Sequence, residues 1–202
     1  MVGPGHFDRL NMPKKILILS GSPLKKGNTA RLIDWFSEGA SSEGAKIEVV
    51  HAASLKLKIR GCISCRRCQK ADKYGCVVKD DANPVLRKMA NADVIVMATP
   101  LYFFSASAQL KQIVDRMFSL YKWDNQAAKM NTVLKGKTLV LMLSAYENTG
   151  LQVAGEPFAL IADYSGMKYE SLLVPNSGES GQIEKIKGVR RKAIALGKKV
   201  AG

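Results

Sequence analysis

The chain has 202 residues, 47% of them hydrophobic and 24% charged, the composition of one globular unit whose core is large enough to do without disulfide staples. Lysine and arginine number 31 against 17 aspartates and glutamates, a net charge of +14, which favours nucleic acid, anionic membrane, phosphorylated ligands or acidic electron carriers without choosing among them. No apolar run approaches the roughly 20 residues of a membrane span, and no apolar stretch follows a basic N-terminal start, so the chain reads as cytoplasmic.

Residues 1–13, rich in Gly and Pro, stand outside the pattern that follows, and 14–202 is expected to form a single domain. A wholly apolar run over 16–19 stops at Gly21 and Pro23 and predicts a buried strand followed by a loop. Leu32, Ile33, Phe36 and Ala40 fall at helical spacing, closed by the Ser/Gly turn at 41–44, and a second strand occupies 46–50. After a cysteine-rich insertion come a helix at 84–90, a buried strand at 93–98 and a helical stripe of Ala108, Leu110, Ile113, Val114, Met117 and Phe118. Strands at 138–143 and 169–174 and a basic helix at 183–200 complete the chain. Apolar strands alternating with helices need cover on both faces, which predicts a doubly wound parallel sheet.

In such a sheet the loop after the first strand is the usual phosphate cradle. Here it reads Ser20-Gly21-Ser22-Pro23-Leu24-Lys25-Lys26-Gly27-Asn28-Thr29. It matches neither a Walker loop nor G-x-G-x-x-G, which argues against ATP and a classical dinucleotide fold. Its hydroxyls, the Asn28 amide and the N–H groups opening a helix suit a monophosphate. A simple capped helix start, with Asn28 as the cap, is the alternative.

Ser-Gly-Ser-Pro followed by Gly-Asn-Thr, the strand ending Thr99-Pro100-Leu101-Tyr102-Phe103-Phe104, and Ser107-Ala108-Gln109-Leu110-Lys111-Gln112 through Asp115-Arg116 together resemble the flavodoxin-like NADPH-dependent FMN reductase family, most closely its iron-sulfur flavoprotein branch. The resemblance is specific over about residues 14–120. It implies a five-stranded parallel sheet of order 2-1-3-4-5 with FMN at the carboxyl ends of strands one, three and four. Matched position by position, Ser20, Ser22, Asn28 and Thr29 would hold the FMN phosphate. Pro100, Leu101, Tyr102 and Phe103 would line the isoalloxazine, a sharp Thr-Pro turn exposing backbone amides and the rings giving a stacking surface. Ser144 opens the third ligand-facing loop, Ser144-Ala145-Tyr146-Glu147-Asn148-Thr149-Gly150, where family members usually carry a Gly-rich sequence.

All four cysteines lie in Cys62-Ile-Ser-Cys65-Arg-Arg-Cys68-Gln-Lys-Ala-Asp-Lys-Tyr-Gly-Cys76. Structural zinc prefers separated pairs or added histidines, and the chain has only His6 and His51. C-x2-C-x2-C with a fourth cysteine nearby is closer to the ligand run of a cubane cluster. Empty redox-active thiols and zinc stay open as alternatives. In the iron-sulfur flavoproteins a compact run in this place holds a 4Fe-4S cluster, so the resemblance makes Cys62, Cys65, Cys68 and Cys76 the expected ligands. Arg60, Arg66, Arg67, Lys70 and Lys73 surround the loop and would offset an anionic cluster or dock an acidic ferredoxin.

The basic C-terminal helix has an apolar stripe and no aromatics on its charged face, so nucleic-acid and membrane binding are not expected. The reading is an FMN-dependent oxidoreductase that takes a hydride from NAD(P)H and passes electrons to a quinone, azo compound, free flavin or similar acceptor, with no obligatory protein acid or base. An electron carrier working with ferredoxin is the rival, and a homodimer or homotetramer is implied by the family.

Overall fold

The computed structural model describes residues 12–202, so most of the N-terminal segment singled out above lies outside the described residues. Five parallel strands, β1 (Lys15–Ser20), β2 (Lys46–His51), β3 (Val94–Tyr102), β7 (Thr138–Ser144) and β8 (Lys168–Val174), are arranged β2-β1-β3-β7-β8. Counting these strands alone, this is the flavodoxin-like order 2-1-3-4-5. A two-residue strand β4 (Ser105–Ala106) folds back antiparallel on β3, and a separate hairpin pairs β5 (Tyr121–Asp124) with β6 (Lys129–Thr132).

The central strands alternate between two cores. Leu17, Leu19, Ile95, Met97, Leu139, Leu141 and Leu143 face helices α2 (Ala82–Asn91), α3 (Ala108–Arg116) and α4 (Leu151–Ser165). Ile16, Ile18, Val94, Val96, Val140 and Met142 face α1 (Asn28–Ser42) and α5 (Val189–Ala201). That division is why the strands read as unbroken apolar runs, since a period of two places successive side chains in opposite cores and both are dry. The α1–α5 crossing is close enough that a Cβ on Gly39 would sit 2.0 Å from the Ile194 carbonyl oxygen, and one on Gly197 2.1 Å from that of Phe36. Both positions therefore require glycine.

Two elements depart from the sequence pattern. The expected helix 183–200 is broken: a 3₁₀ turn at Gln182–Lys185 is followed by Gly188 at φ +80°, and α5 starts after it. A residue in the left-handed region cannot continue an α-helix, and glycine adopts it without a Cβ penalty. Helix α4 carries Gly155 and Pro157 in its interior, which hides it from a propensity reading. Packing of Leu151, Ala154, Phe158 and Ala162 into the core overrides that local cost. Among the described residues no helix is long and apolar enough to cross a membrane.

Candidate functional site

The carboxyl ends of β1, β3 and β7 meet where the strand order reverses, and a web of buried hydroxyls joins their loops. Gly21 N–H extends the sheet by donating to Ala98 O (2.7 Å). A Cβ on Gly21 would lie 2.8 Å from both Leu110 Cβ and Ser107 Oγ, so only glycine allows this loop to lie on α3. Ser107 caps α3: its Oγ donates to Gly21 O (2.6 Å) and accepts from Leu110 N–H (3.3 Å). Its own N–H donates to Thr99 Oγ1 (3.0 Å).

Ser20, Ser22, Thr29 and Ser144 are all buried here, with Thr29 Oγ1 and Ser144 Oγ 3.3 Å apart. Ser22 Oγ accepts from Leu24 N–H (3.2 Å). The first helical bond of α1 runs from Arg31 N–H to Gly27 O, and Gly27 gives no side-chain cap, so the N–H groups of Asn28, Thr29 and Ala30 stand outside the ladder at the positive end of the helix dipole. These hydroxyls and N–H groups are a donor set suited to a phosphate.

Asn28 differs from both expectations for it. Its Nδ2 donates to the carbonyls of Ser177 (2.9 Å), Gly178 (3.1 Å) and Glu179 (3.1 Å), and its Oδ1 accepts from the N–H groups of Gly181 and Ile183. An amide so engaged has no donor or acceptor left for a ligand and does not cap α1. Asn28 instead fastens the loop after β8 to the start of α1. That loop is also tied to the one after β7, since Ser177 N–H and Oγ both donate to Ala145 O at 2.8 Å.

No turn occurs at Thr99-Pro100. Strand β3 continues, pairing Pro100 with Ser144 and then Tyr102 with Ser105, and the chain reverses at Phe103 and Phe104. Both hold positive φ, +46° and +60°, a two-residue turn that normally selects Gly or Asn. Each non-glycine residue there stores about 1–2 kcal/mol of strain, and Phe103 is left fully exposed at the tip. Phe104 lies against Gly150, where a Cβ would come within 2.4 Å of its ring. Tyr102, Phe104 and Tyr146 are thus an exposed aromatic rim on the ends of β3 and the loop after β7, which meet where Phe104 lies on Gly150.

The cysteines form a second place of chemical interest. All four line one small cleft with Ile59, Ile63, Val77, Val78, Phe118 and the Arg116 side chain. Cys62 and Cys65 are exposed and Cys68 is buried. The Arg67 N–H and guanidinium hold the Cys65 thiol below its ordinary value, whereas burial pushes Cys68 up. Ser64 and Arg66, both at φ +53°, flank Cys65 and turn the backbone so that N–H groups face sulfur. The hairpin clamps the loop from outside: Gln69 bonds Tyr121 O (2.9 Å) and Trp123 N–H (3.1 Å), and Lys122 Nζ donates to the Cys68 and Ala71 carbonyls.

Among the described residues no three His, Cys, Asp or Glu side chains converge at metal-bonding distance, so the cysteines share a cleft without forming a closed cage. The donor set nonetheless suits a thiolate-ligated group: four sulfurs, an apolar wall and N–H donors. The cleft abuts the C-terminal end of α3, whereas Ser107 at the other end belongs to the hydroxyl web; nine residues of helix, about 13 Å, separate them.

The sequence profile of the NADPH-dependent FMN reductase family matches residues 14–169. The chain belongs to this family. Its curated relatives include an iron-sulfur flavoprotein of Methanocaldococcus jannaschii, 37% identical over 102 residues covering 50% of this chain and 51% of the relative. A second from the same organism is 30% identical over 141 residues, 69% of this chain and 66% of the relative. The chain spans about half the length of several curated relatives it matches. Among solved structures, an NAD(P)H:quinone oxidoreductase from Methanothermobacter marburgensis superposes with TM-score 0.64 at 18% identity, covering 94% of this chain and 98% of the other. An FMN-dependent NADH-azoreductase from Bacillus anthracis superposes with TM-score 0.68 at 13% identity, covering 93% and 100%. These two likenesses show the fold.

Within this FMN reductase family member, two sets of residues escape a reading by sequence. Thr99 and Ser107 stand inside the recognised motif, but only the folded chain shows that they bind loops together. Asp80 and Arg116 are 36 positions apart and form a bidentate ion pair, both contacts 2.8 Å, with each side chain 1% exposed. The paired Asp80-Asp81 after the last cysteine is the one sequence signal for it. Asp81 Oδ2 accepts from Lys56 N–H and Asp80 Oδ2 from Lys58 N–H, closing the neck of the cysteine loop.

Proposed function

We propose that the protein binds FMN at the carboxyl ends of β1, β3 and β7 and works as a flavin-dependent oxidoreductase with NAD(P)H as donor. The observation that carries this is the burial of four hydroxyls, Ser20, Ser22, Thr29 and Ser144, in the loops after β1 and β7 and at the uncapped start of α1, with Thr29 and Ser144 in contact, in a chain of the FMN reductase family. In this reading Ser20, Ser22, Thr29 and the first N–H groups of α1 hold the phosphate, and Asn28 acts indirectly by fixing the loop after β8. Pro100, Leu101, Tyr102 and Phe103 would flank the ring system, and Ser144, which pairs with Pro100, would complete the site from the loop after β7. When bound there, FMN would supply the hydride-accepting and electron-donating chemistry between NAD(P)H and a quinone, azo compound or free flavin. The chain's own part is to hold the ring against β3, leave one face open beside the aromatic rim, and shield the buried hydroxyls from water.

Calorimetry with FMN, FAD and riboflavin tests the cradle: FMN binds most tightly, and riboflavin binding as tightly as FMN overturns it. Initial-velocity plots with NAD(P)H and a quinone should be parallel, because donor and acceptor use one pocket in turn. Intersecting lines refute that sharing.

The cysteine cleft favours a second reading, an iron-sulfur flavoprotein that exchanges electrons with ferredoxin. Cys62, Cys65, Cys68 and Cys76 would hold a 4Fe-4S cluster, and the arginines and lysines around the loop would meet the acidic carrier. Protein prepared without oxygen should then contain about four irons and four sulfides per chain, and Cys65→Ser should lose iron while keeping flavin. Reduction by ferredoxin but by neither nicotinamide favours this carrier role. Assembly as a homodimer or homotetramer belongs to the same proposal. Val153, Leu160 and Tyr164 are exposed on α4 at a spacing that shares one face, and light scattering reads the mass.

A further inference from the structure

Arg116 is among the largest fully buried side chains, and although Asp80 balances its charge, one of its donors is left over. Both terminal nitrogens are taken by Asp80, whereas Nε is buried with no hydrogen-bond partner. A buried donor on a charged group that is left unpaired carries its full desolvation penalty, so its persistence calls for an explanation. Arg116 lines the cleft that holds all four cysteines, and Cys76 is the thiol beside its guanidinium.

Resting on the reading of the cysteine loop as a metal centre, we propose that Arg116 is a positioning residue for that centre, its free Nε–H reserved for the Cys76 sulfur when that thiolate is a ligand and its guanidinium fixing a positive charge beside it. Asp80 orients the guanidinium edge-on and neutralises its far side, so the pair is a buried dipole with its positive end at Cys76. Asp80 is itself held by the Lys58 and Ala82 N–H groups, on either side of the cysteine loop. The guanidinium and the loop that carries the sulfurs are therefore parts of one rigid unit. Reduction of an iron-sulfur group held there by one electron would add one negative charge to the cluster and its thiolates taken together. A hydrogen bond and a fixed cation at one sulfur favour that reduced state and raise the reduction potential. Because α3 carries Arg116 at one end and Ser107 at the other, the same helix joins the cysteine centre to the loops of the hydroxyl web.

The test uses the full chain, reconstituted without oxygen with iron and sulfide. Wild type is compared with Arg116→Lys and with the double variant Asp80→Asn/Arg116→Gln, which replaces the ion pair by a neutral amide pair and strands no buried charge. Iron, sulfide and flavin content are measured, and the midpoint potential of the iron-sulfur group is titrated with dithionite by visible absorption and electron paramagnetic resonance. The expected order is wild type highest, Arg116→Lys lower and the double variant lowest, with flavin content unchanged throughout. A brace that only held the loop together would leave the potential of loaded protein where it was. A double variant that loads iron and titrates at the wild-type potential overturns the proposal. Should the double variant not load, Arg116→Lys decides, and a wild-type potential there refutes the Nε–H contact. Wild type that takes up no iron overturns the metal-centre reading and the proposal with it.

Discussion

Asp80→Asn isolates what the buried ion pair does for stability. The substitution keeps the volume but removes the charge, and one carboxylate oxygen becomes an NH₂ facing the Arg116 donors. Both side chains are 1% exposed, so the arginine left behind can be compensated neither by water nor by another described carboxylate within salt-bridge reach. Breaking one side of such a pair costs about 3–5 kcal/mol. In a chain of this size each kcal/mol moves Tm by about 2–4 °C, so the expected drop is roughly 6–20 °C. The internal control is Glu38→Gln. Its partner Arg190 lies 3.2 Å away, but the two side chains are 52% and 64% exposed, and such a pair is worth about 0–1 kcal/mol. Thermal and urea denaturation followed by circular dichroism measure both. Acid adds a second reading. Burial alone would raise the Asp80 carboxyl, but the Arg116 guanidinium and the N–H groups of Lys58 and Ala82 outweigh it and hold it below the ordinary carboxylate value. A depressed folded value means the contribution is complete above the unfolded value of about 3.9 and is lost as pH falls through the folded one. Asp80→Asn should therefore flatten the acid limb of the stability curve. An Asp80→Asn variant no less stable than Glu38→Gln would refute the claim that the pair closes the neck of the cysteine loop.

Three further outcomes follow from named contacts. Gly39→Ala should destabilise by about 1–3 kcal/mol or more despite a gain of about 1 kcal/mol in helix propensity, because its Cβ meets the Ile194 carbonyl; a variant as stable as wild type in urea would mean the helices cross farther apart. Gly150→Ala combines a left-handed φ of +78° with a collision against Phe104. It should weaken FMN binding with little change in global Tm, and unchanged calorimetry would detach that loop from the site. Thr29→Ala should weaken FMN by about 1.5–3 kcal/mol, the scale of a hydrogen bond to a charged group, while leaving riboflavin affinity where it was; equal losses for both ligands would move the phosphate elsewhere.

By itself the sequence determined the layered architecture. Unbroken apolar runs of four or five residues at 16–19, 94–98 and 139–143, alternating with amphipathic stripes, admit few folds besides a parallel sheet covered on both faces, and clustering of four thiols in fifteen positions marks a site without any coordinates. The hydroxyls of the first loop were legible for the same reason, being local to one strand-to-helix connection.

Tertiary structure decided what each of those groups has left to offer. Asn28 looks like a cap or a ligand in the chain, but the loop after β8, some 150 positions away, takes up all its hydrogen bonds. Pro100 reads as a turn, yet pairing with Ser144 keeps β3 extended and moves the reversal to Phe103 and Phe104, where strain is borne by aromatic residues that propensity would never place there. The cysteine loop falls beside the far end of α3, not beside the hydroxyl web, because the Asp80–Arg116 pair and the β5–β6 hairpin draw it there. Periodicity and spacing are properties of neighbours along the chain, whereas the satisfaction of a buried donor or charge depends on partners that only the packed fold brings within 3 Å.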